Sequence, residues 1–82
     1  MQRSEADVSM PYIDMETTGK MLKAVMGEKG FSAKEIAEIL GISRNAVYFW
    51  WEGKRLPSVD NLVCMAYVME TKIDDLIGIK YV

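Results

Sequence analysis

Residues 31–58, FSAKEIAEILGISRNAVYFWWEGKRLPS, contain the start and stop signals of two short helices. Ser32 stands at an N-cap position and Glu35 follows three residues later, which is the spacing of a capping box. Gly41 is suited to the left-handed backbone conformation that commonly ends a helix. These signals predict a helix over residues 33–40.

The second helix repeats the same pattern. Ser43 is its N-cap and Gly53 its end, so the prediction is a helix over residues 44–52. Only Ile42 separates Gly41 from Ser43, and the chain must therefore turn sharply between the two helices. Two helices joined in this way form a helix-turn-helix, an arrangement that can place its second helix in the major groove of DNA.

The flanking segments read as further helices. The first is predicted from about residue 14 to 28, ended by Gly30, and the fourth begins after Ser58 as N-cap. A short last helix is expected around residues 73–76. The apolar positions that repeat at helical spacing, and therefore predict the buried face, are Leu22, Val25, Met26, Leu62, Met65, Ala66 and Met69.

The two ends of the chain carry weaker signals. Residues 1–12 have no periodicity and are predicted to be a mobile N-terminal arm, which leaves residues 13–82 as the folded domain. Residues 79–82 are apolar and rich in strand-forming types, so they are expected to be able to pair with a second copy of themselves.

Composition excludes several classes of protein. The chain has 82 residues, room for one small core, and no apolar run near the roughly 20 residues of a membrane span. Cys64 is the lone cysteine and there is no histidine, so neither an internal disulfide nor a structural zinc site is expected. Cys64 is predicted to be buried, and the protein to be cytoplasmic. No nucleophile with a base and no phosphate-binding glycine loop appear, so we expect no catalytic residues, no metal, no cofactor and no small-molecule substrate.

The charge is unevenly distributed along the chain. Residues 1–19 contain one basic and four acidic residues, residues 20–58 seven and four, and residues 59–82 two and four. The helix-turn-helix third therefore carries +3 within a chain of net charge −2. This distribution favours a negatively charged partner at residues 20–58, with an affinity that falls as salt rises.

The helix-turn-helix closely resembles that of the phage repressor and Cro-like (XRE, lambda-repressor-like) DNA-binding domains. The matching residues are Ile36, Ala37, Leu40, Gly41, Ile42, Val47 and Trp50, followed by the G-K-R-x-P-S segment at 53–58. The similarity extends over roughly residues 14–78. It implies an all-α, compact five-helix lambda-repressor-like bundle that binds double-stranded operator DNA, usually as a homodimer, and regulates transcription, more often as a repressor.

The chain departs from this family at two places. Many relatives have a buried ion pair between the first helix and the end of the third, and the corresponding residues here are Met26 and Trp51. Two apolar side chains can replace such a pair without leaving an unpaired charge. Relatives often have a phosphate-binding glutamine where this chain has Ala33, and Lys34 is expected to compensate.

The family's docking geometry assigns roles to individual residues. The base-reading candidates in the third helix are Arg44, Asn45, Tyr48 and Phe49. The phosphate-binding candidates are Ser32, Lys34, Ser43, Lys54 and Arg55. The plainer alternative is that the charged members are ordinary solvated residues and that Tyr48 and Phe49 pack on another protein chain.

Two functional classes therefore remain open. One is a sequence-specific DNA-binding transcriptional regulator. The other is a protein-interaction module on the same fold, of the antitoxin or anti-repressor type, because a fold alone does not determine function. The aromatic residues of the third helix favour the second class, and the localised positive charge favours the first.

Overall fold

The computed structural model describes residues 9–82 and shows a mainly helical fold with a small sheet. The elements in chain order are β1 (Pro11–Ile13), α1 (Met15–Lys29), α2 (Ala33–Leu40), α3 (Arg44–Trp51), α4 (Val59–Val68), a 3-10 helix (Ile73–Leu76) and β2 (Ile79–Tyr81). The prediction of four α-helices and their order is confirmed. The prediction of an all-α five-helix bundle is wrong in two respects, because the fifth helix is a single 3-10 turn and the two ends of the domain form a sheet.

The helix ends follow the local signals closely. Ser32 Oγ accepts a hydrogen bond from the Glu35 backbone N–H at 3.1 Å, and Glu35 Oε1 accepts one from the Ser32 N–H at 3.1 Å, so the capping box is complete. Ser43 Oγ accepts from the Ala46 N–H at 3.2 Å. Gly41 ends α2 in the left-handed region with a φ of 69°. Because these bonds are local, the sequence alone was sufficient to predict them.

The two strands pair antiparallel and join the start of the domain to its end. Pro11 lies opposite Tyr81 and Ile13 opposite Ile79. The expectation that residues 79–82 pair with a second copy is therefore corrected, since residues 79–81 form β2 and pair with β1 of the same chain. Of the predicted arm, residues 1–8 lie outside the described residues, and residues 11 and 12 belong to β1.

Hydrogen bonds beside the sheet fix the start of α1. The Asp14 N–H donates to the Gly78 carbonyl at 2.8 Å, and the Gly78 N–H donates to Thr18 Oγ1 at 2.8 Å. Asp14 also caps α1 by accepting from both the hydroxyl and the N–H of Thr17, and these bonds hold the pKa of the Asp14 carboxyl below its ordinary value. The cap is therefore complete above the ordinary carboxyl pKa and is lost only as the pH falls through the lowered value.

One apolar core lies between the helices. Its buried side chains are Leu22, Met26, Ala33, Ile36, Ala37, Val47, Trp50, Leu62, Met65, Met69 and Leu76. Val25 and Ala66, also predicted to be buried, are half-buried at its margin. No helix in residues 9–82 is both long enough and apolar enough to cross a membrane.

The prediction that Cys64 is buried is wrong. Leu62, Met65 and Met69 turn one side of α4 to the core, and at 3.6 residues per turn Cys64 falls on the other side. Cys64 is exposed as a free thiol. An apolar environment in sequence therefore did not imply an apolar environment in space.

Candidate nucleic-acid interface

The core holds α3 by one side and leaves the other side open. Val47 and Trp50 are buried, with Trp50 only 4% exposed, and they anchor the helix against α1 and α2. On the opposite side Arg44, Asn45, Tyr48 and Glu52 are exposed. We call these four exposed residues the outward face of α3. The structure thus presents three of the four residues predicted to read bases.

Arg44 and Asn45 occupy the first turn of α3, directly after the Ser43 cap. Both side chains are exposed, and among residues 9–82 no carboxylate lies within ion-pairing distance of Arg44. A helix N-terminus carries a partial positive charge and unpaired backbone N–H groups. This end of α3 is therefore electropositive and offers both a fork of guanidinium donors and an amide.

Phe49 lies at one edge of the outward face and is half-buried. Its ring is covered by two cations from the loop after α3, with Lys54 Nζ at 6.0 Å and the Arg55 guanidinium at 5.5 Å from the ring centre. Lys54 also forms an ion pair with Glu52 at 2.8 Å. Phe49 thus supports the position of these cations, and its base-reading role stays a prediction.

Trp51 lies at the other edge of the face. Its indole N–H donates to Met26 Sδ at 3.4 Å, so the two residues that replace the family's ion pair do meet, as that substitution predicted. The Trp51 ring packs edge-to-face with Tyr48 at 5.5 Å and carries Lys23 Nζ at 5.4 Å from its centre. Trp51 therefore links α1 to the outward face through sulfur, aromatic and cation contacts.

The phosphate-binding candidates lie at helix ends around this face. Ser32 and Lys34 are exposed at the start of α2, whereas Ala33 between them is buried, so the position of the family's glutamine offers no polar group. Ser43 is exposed at the start of α3. The hydroxyls of Ser32 and Ser43 accept bonds from their own helices and keep their O–H groups as donors.

Sequence reasoning missed two of these contacts. Lys23 lies three residues before Met26 in α1, which places both on adjacent positions of one helix surface, and this spacing was the available signal for the Lys23–Trp51 contact. The Glu52–Lys54 pair has no such signal, because it depends on the turn at Gly53, which has a φ of 73°.

Comparisons with known proteins agree with this geometry. A family model described as Helix-turn-helix matches residues 22–76. The restriction-modification controller protein C.AhdI from Aeromonas hydrophila has a similar structure, with a TM-score of 0.69 and 26% identity, over 79% of this chain and 98% of that chain. SinR, a master regulator for biofilm formation whose structure is in complex with DNA, gives a TM-score of 0.64 and 25% identity, over 72% of this chain and 95% of that chain.

The same fold also occurs inside a larger protein. HppE in complex with FeII and substrate matches with a TM-score of 0.69 and 23% identity, over 78% of this chain but only 37% of that chain, and this likeness shows the fold alone. Among curated proteins no sequence match was found. The family model, by contrast, spans more than half of the chain, including all of α2, α3 and α4. The chain therefore belongs to the helix-turn-helix family, of the phage repressor and Cro-like (XRE) type.

Proposed function

We propose that this protein is a sequence-specific DNA-binding transcriptional regulator that inserts α3 into the major groove as a homodimer and acts as a repressor. The observation that carries the proposal is the outward face of α3, which is exposed along its length and begins with Arg44 and Asn45 at an electropositive helix end. The presence of DNA in the similar SinR structure and the regulatory role of C.AhdI support it.

Each exposed side chain of the first turn has a matching base edge. The Arg44 guanidinium suits guanine O6 and N7, which both accept, and the Asn45 amide suits adenine N6 and N7, which donate and accept. Tyr48, one turn further on the same face, reaches a base edge or a phosphate. Phe49 contributes an apolar edge for a thymine methyl at the border of the face.

Cations and hydroxyls around the face position the helix on the phosphates. Ser32, Lys34 and Ser43 lie at the two helix N-termini on one side, and Lys54 and Arg55 lie beyond the C-terminal end of α3. Contacts at both ends of a recognition helix fix its register in the groove without reading sequence.

Repression requires only that the protein occupy its operator. A homodimer places two recognition helices about 34–36 Å apart, so each reads one half-site on the same side of the DNA. Selection of bound fragments from random double-stranded DNA at two salt concentrations tests this directly. We expect an enriched site with two-fold symmetry and half-sites about 10–10.5 base pairs apart. Failure to enrich any sequence at either salt concentration contradicts the proposal.

Replacing Arg44 with alanine is expected to weaken binding to the selected site by about 1–3 kcal/mol and to relax the preference at one base pair. The reason is the loss of two hydrogen bonds to one base. Binding isotherms on the selected site and on its single-base variants measure both effects. Arg44→Lys is the matched control, because it keeps the charge but loses the bidentate geometry, so it should relax the preference while retaining more affinity. Unchanged preference in both variants removes Arg44 from base reading.

Replacing Lys54 with alanine is expected to weaken binding to every DNA sequence alike. A phosphate contact releases about one counterion, so the slope of log affinity against log salt should decrease by about one. Titrations at several salt concentrations measure the slope. Lys72→Ala is the control, because it removes the same charge from the exposed residue that precedes the 3-10 helix. Equal slopes for the Lys54 variant and wild type contradict a phosphate contact by Lys54.

The second candidate is a protein-interaction module of the antitoxin or anti-repressor type. The observation that favours it is the aromatic group on α3, in which exposed Tyr48 packs against half-buried Trp51. Aromatic residues at a surface are typical of protein interfaces. In that case Tyr48→Ala disrupts partner binding, whereas Arg44→Ala leaves every DNA measurement unchanged.

A further inference from the structure

A second surface, on the opposite side of α4 from the core, is unusually apolar. Its exposed residues are Val59, Asp60, Val63, Cys64 and Tyr67, and we call them the α4 face. The side chains at intervals of four are 74%, 50% and 84% exposed for Val59, Val63 and Tyr67 respectively. Asp60 is the only charged member. A surface helix normally turns charged and polar residues to solvent, so this face lacks the composition of a solvated one.

An apolar groove opens at the N-terminal end of the same helix. Val59 lies on its rim, and it is lined largely by Ile13, Leu56, Leu62 and Ile77, around a cavity of about 320 Å³. Leu56 and Ile13 are partly exposed at its mouth. The groove thus offers an apolar recess beside the α4 face.

The other end of the α4 face carries a projecting side chain. Tyr67 is the most exposed large side chain of α4, and it follows Val59 by eight residues, or about 12 Å along the helix. A projecting aromatic ring and an apolar recess therefore lie at opposite ends of one helix. A two-fold axis passing beside Val63 exchanges these two ends.

We propose that the α4 face is the surface through which two copies of this chain associate, with their α4 helices antiparallel about a two-fold axis at Val63. In this arrangement Tyr67 of each copy packs over Val59 and the groove of the other. The two Val63 side chains meet at the axis. This proposal names the interface of the homodimer proposed above and rests on that part of the proposed function, but it does not depend on DNA binding.

Self-complementarity is what identifies the occupant as a second copy. A two-fold interface uses the same patch twice, so a chain that carries both the projection and the recess satisfies both at once and leaves neither open. The same axis sets Asp60 opposite Ala66 of the other copy, so the two Asp60 carboxylates do not oppose each other. Burial of the tyrosine ring and the two valines then supplies an apolar centre of the type that dominates binding energy at interfaces.

The first test measures association without DNA. Val63→Glu is expected to raise the dissociation constant of the dimer by more than about tenfold in sedimentation experiments, because it places two carboxylates at the axis. Ile39→Glu is the matched control, since Ile39 on α2 is exposed to the same 50% as Val63 but lies off the α4 face. It should leave the constant unchanged. Circular dichroism of both variants confirms that each remains folded.

The second test uses a covalent link. In a Cys64→Ser background, Val63→Cys should form a disulfide-linked dimer under mild oxidation, because residues at an antiparallel axis bring their Cα atoms within the 4.4–6.8 Å that a disulfide requires. Ile39→Cys in the same background should remain monomeric. A dimer that persists in Val63→Glu and does not cross-link at residue 63 overturns this interface and leaves the homodimer standing. A monomeric wild type overturns both, whereas the Arg44 measurements on DNA decide the recognition role separately.

Discussion

Replacing Trp50 with alanine should lower the free energy of unfolding by about 3–5 kcal/mol, the usual cost of removing a large aromatic side chain from a packed core. Trp50 is only 4% exposed and belongs to the same core cluster as Val47 and Ile36. The truncation leaves a cavity between α3 and the helices behind it, and the surrounding side chains relax into it only in part. Chemical denaturation followed by circular dichroism measures the loss.

Tyr48→Ala is the matched control for this experiment. It also converts an aromatic residue of α3 to alanine, with a similar gain in helix propensity, but Tyr48 is exposed on the outward face. We expect it to change the unfolding free energy by less than about 1 kcal/mol. If Trp50→Ala also costs less than about 1 kcal/mol, then Trp50 does not anchor α3 and the orientation of the outward face is wrong.

The parts of the fold that could be predicted from sequence are those set by short-range chemistry. The capping box at Ser32, the Ser43 cap and the left-handed Gly41 each depend on residues within a few positions, and their helices begin and end where these signals lie. The core positions of α1 and α4 followed from helical spacing for the same reason.

The parts that could not be predicted depend on contacts between distant residues. Strands β1 and β2 have three residues each, too few for an alternating pattern, and their pairing joins Pro11 to Tyr81 across nearly the whole domain. Cys64 was assigned to the core because apolar residues surround it in sequence on all sides, so the pattern did not define a single face of α4.

The candidate interface shows the same division. Arg44, Asn45 and Tyr48 were expected on the open side of α3 from helical geometry, and they lie there. The cations over the Phe49 and Trp51 rings come from a loop and from α1, and their positions required the tertiary structure. Sequence thus identified which residues can read DNA better than it identified which residues hold them in place.

Gly19→Ala should destabilise the fold by about 3 kcal/mol, at the upper end of the usual cost of overfilling a packed site. Gly19 is buried in α1 where that helix crosses the end of α3. A Cβ atom built on Gly19 would lie 2.2 Å from the Trp50 carbonyl oxygen and 2.7 Å from that of Trp51. Both obstacles are backbone atoms of α3, so no side-chain rotation relieves them and the two helices must separate.

Gly27→Ala supplies the opposite result from the same helix. A Cβ atom at Gly27 meets nothing within 4 Å, so alanine there should stabilise the protein by about 0.5–1 kcal/mol through helix propensity alone. The pair of variants separates propensity from steric overlap, because both gain the same methyl group in α1. Since α1 supports the carbonyl end of α3, Gly19→Ala should also displace the outward face and weaken DNA binding even at temperatures where the variant remains folded. Equal stability of the two variants would show that α1 and α3 do not approach as closely as this interface requires.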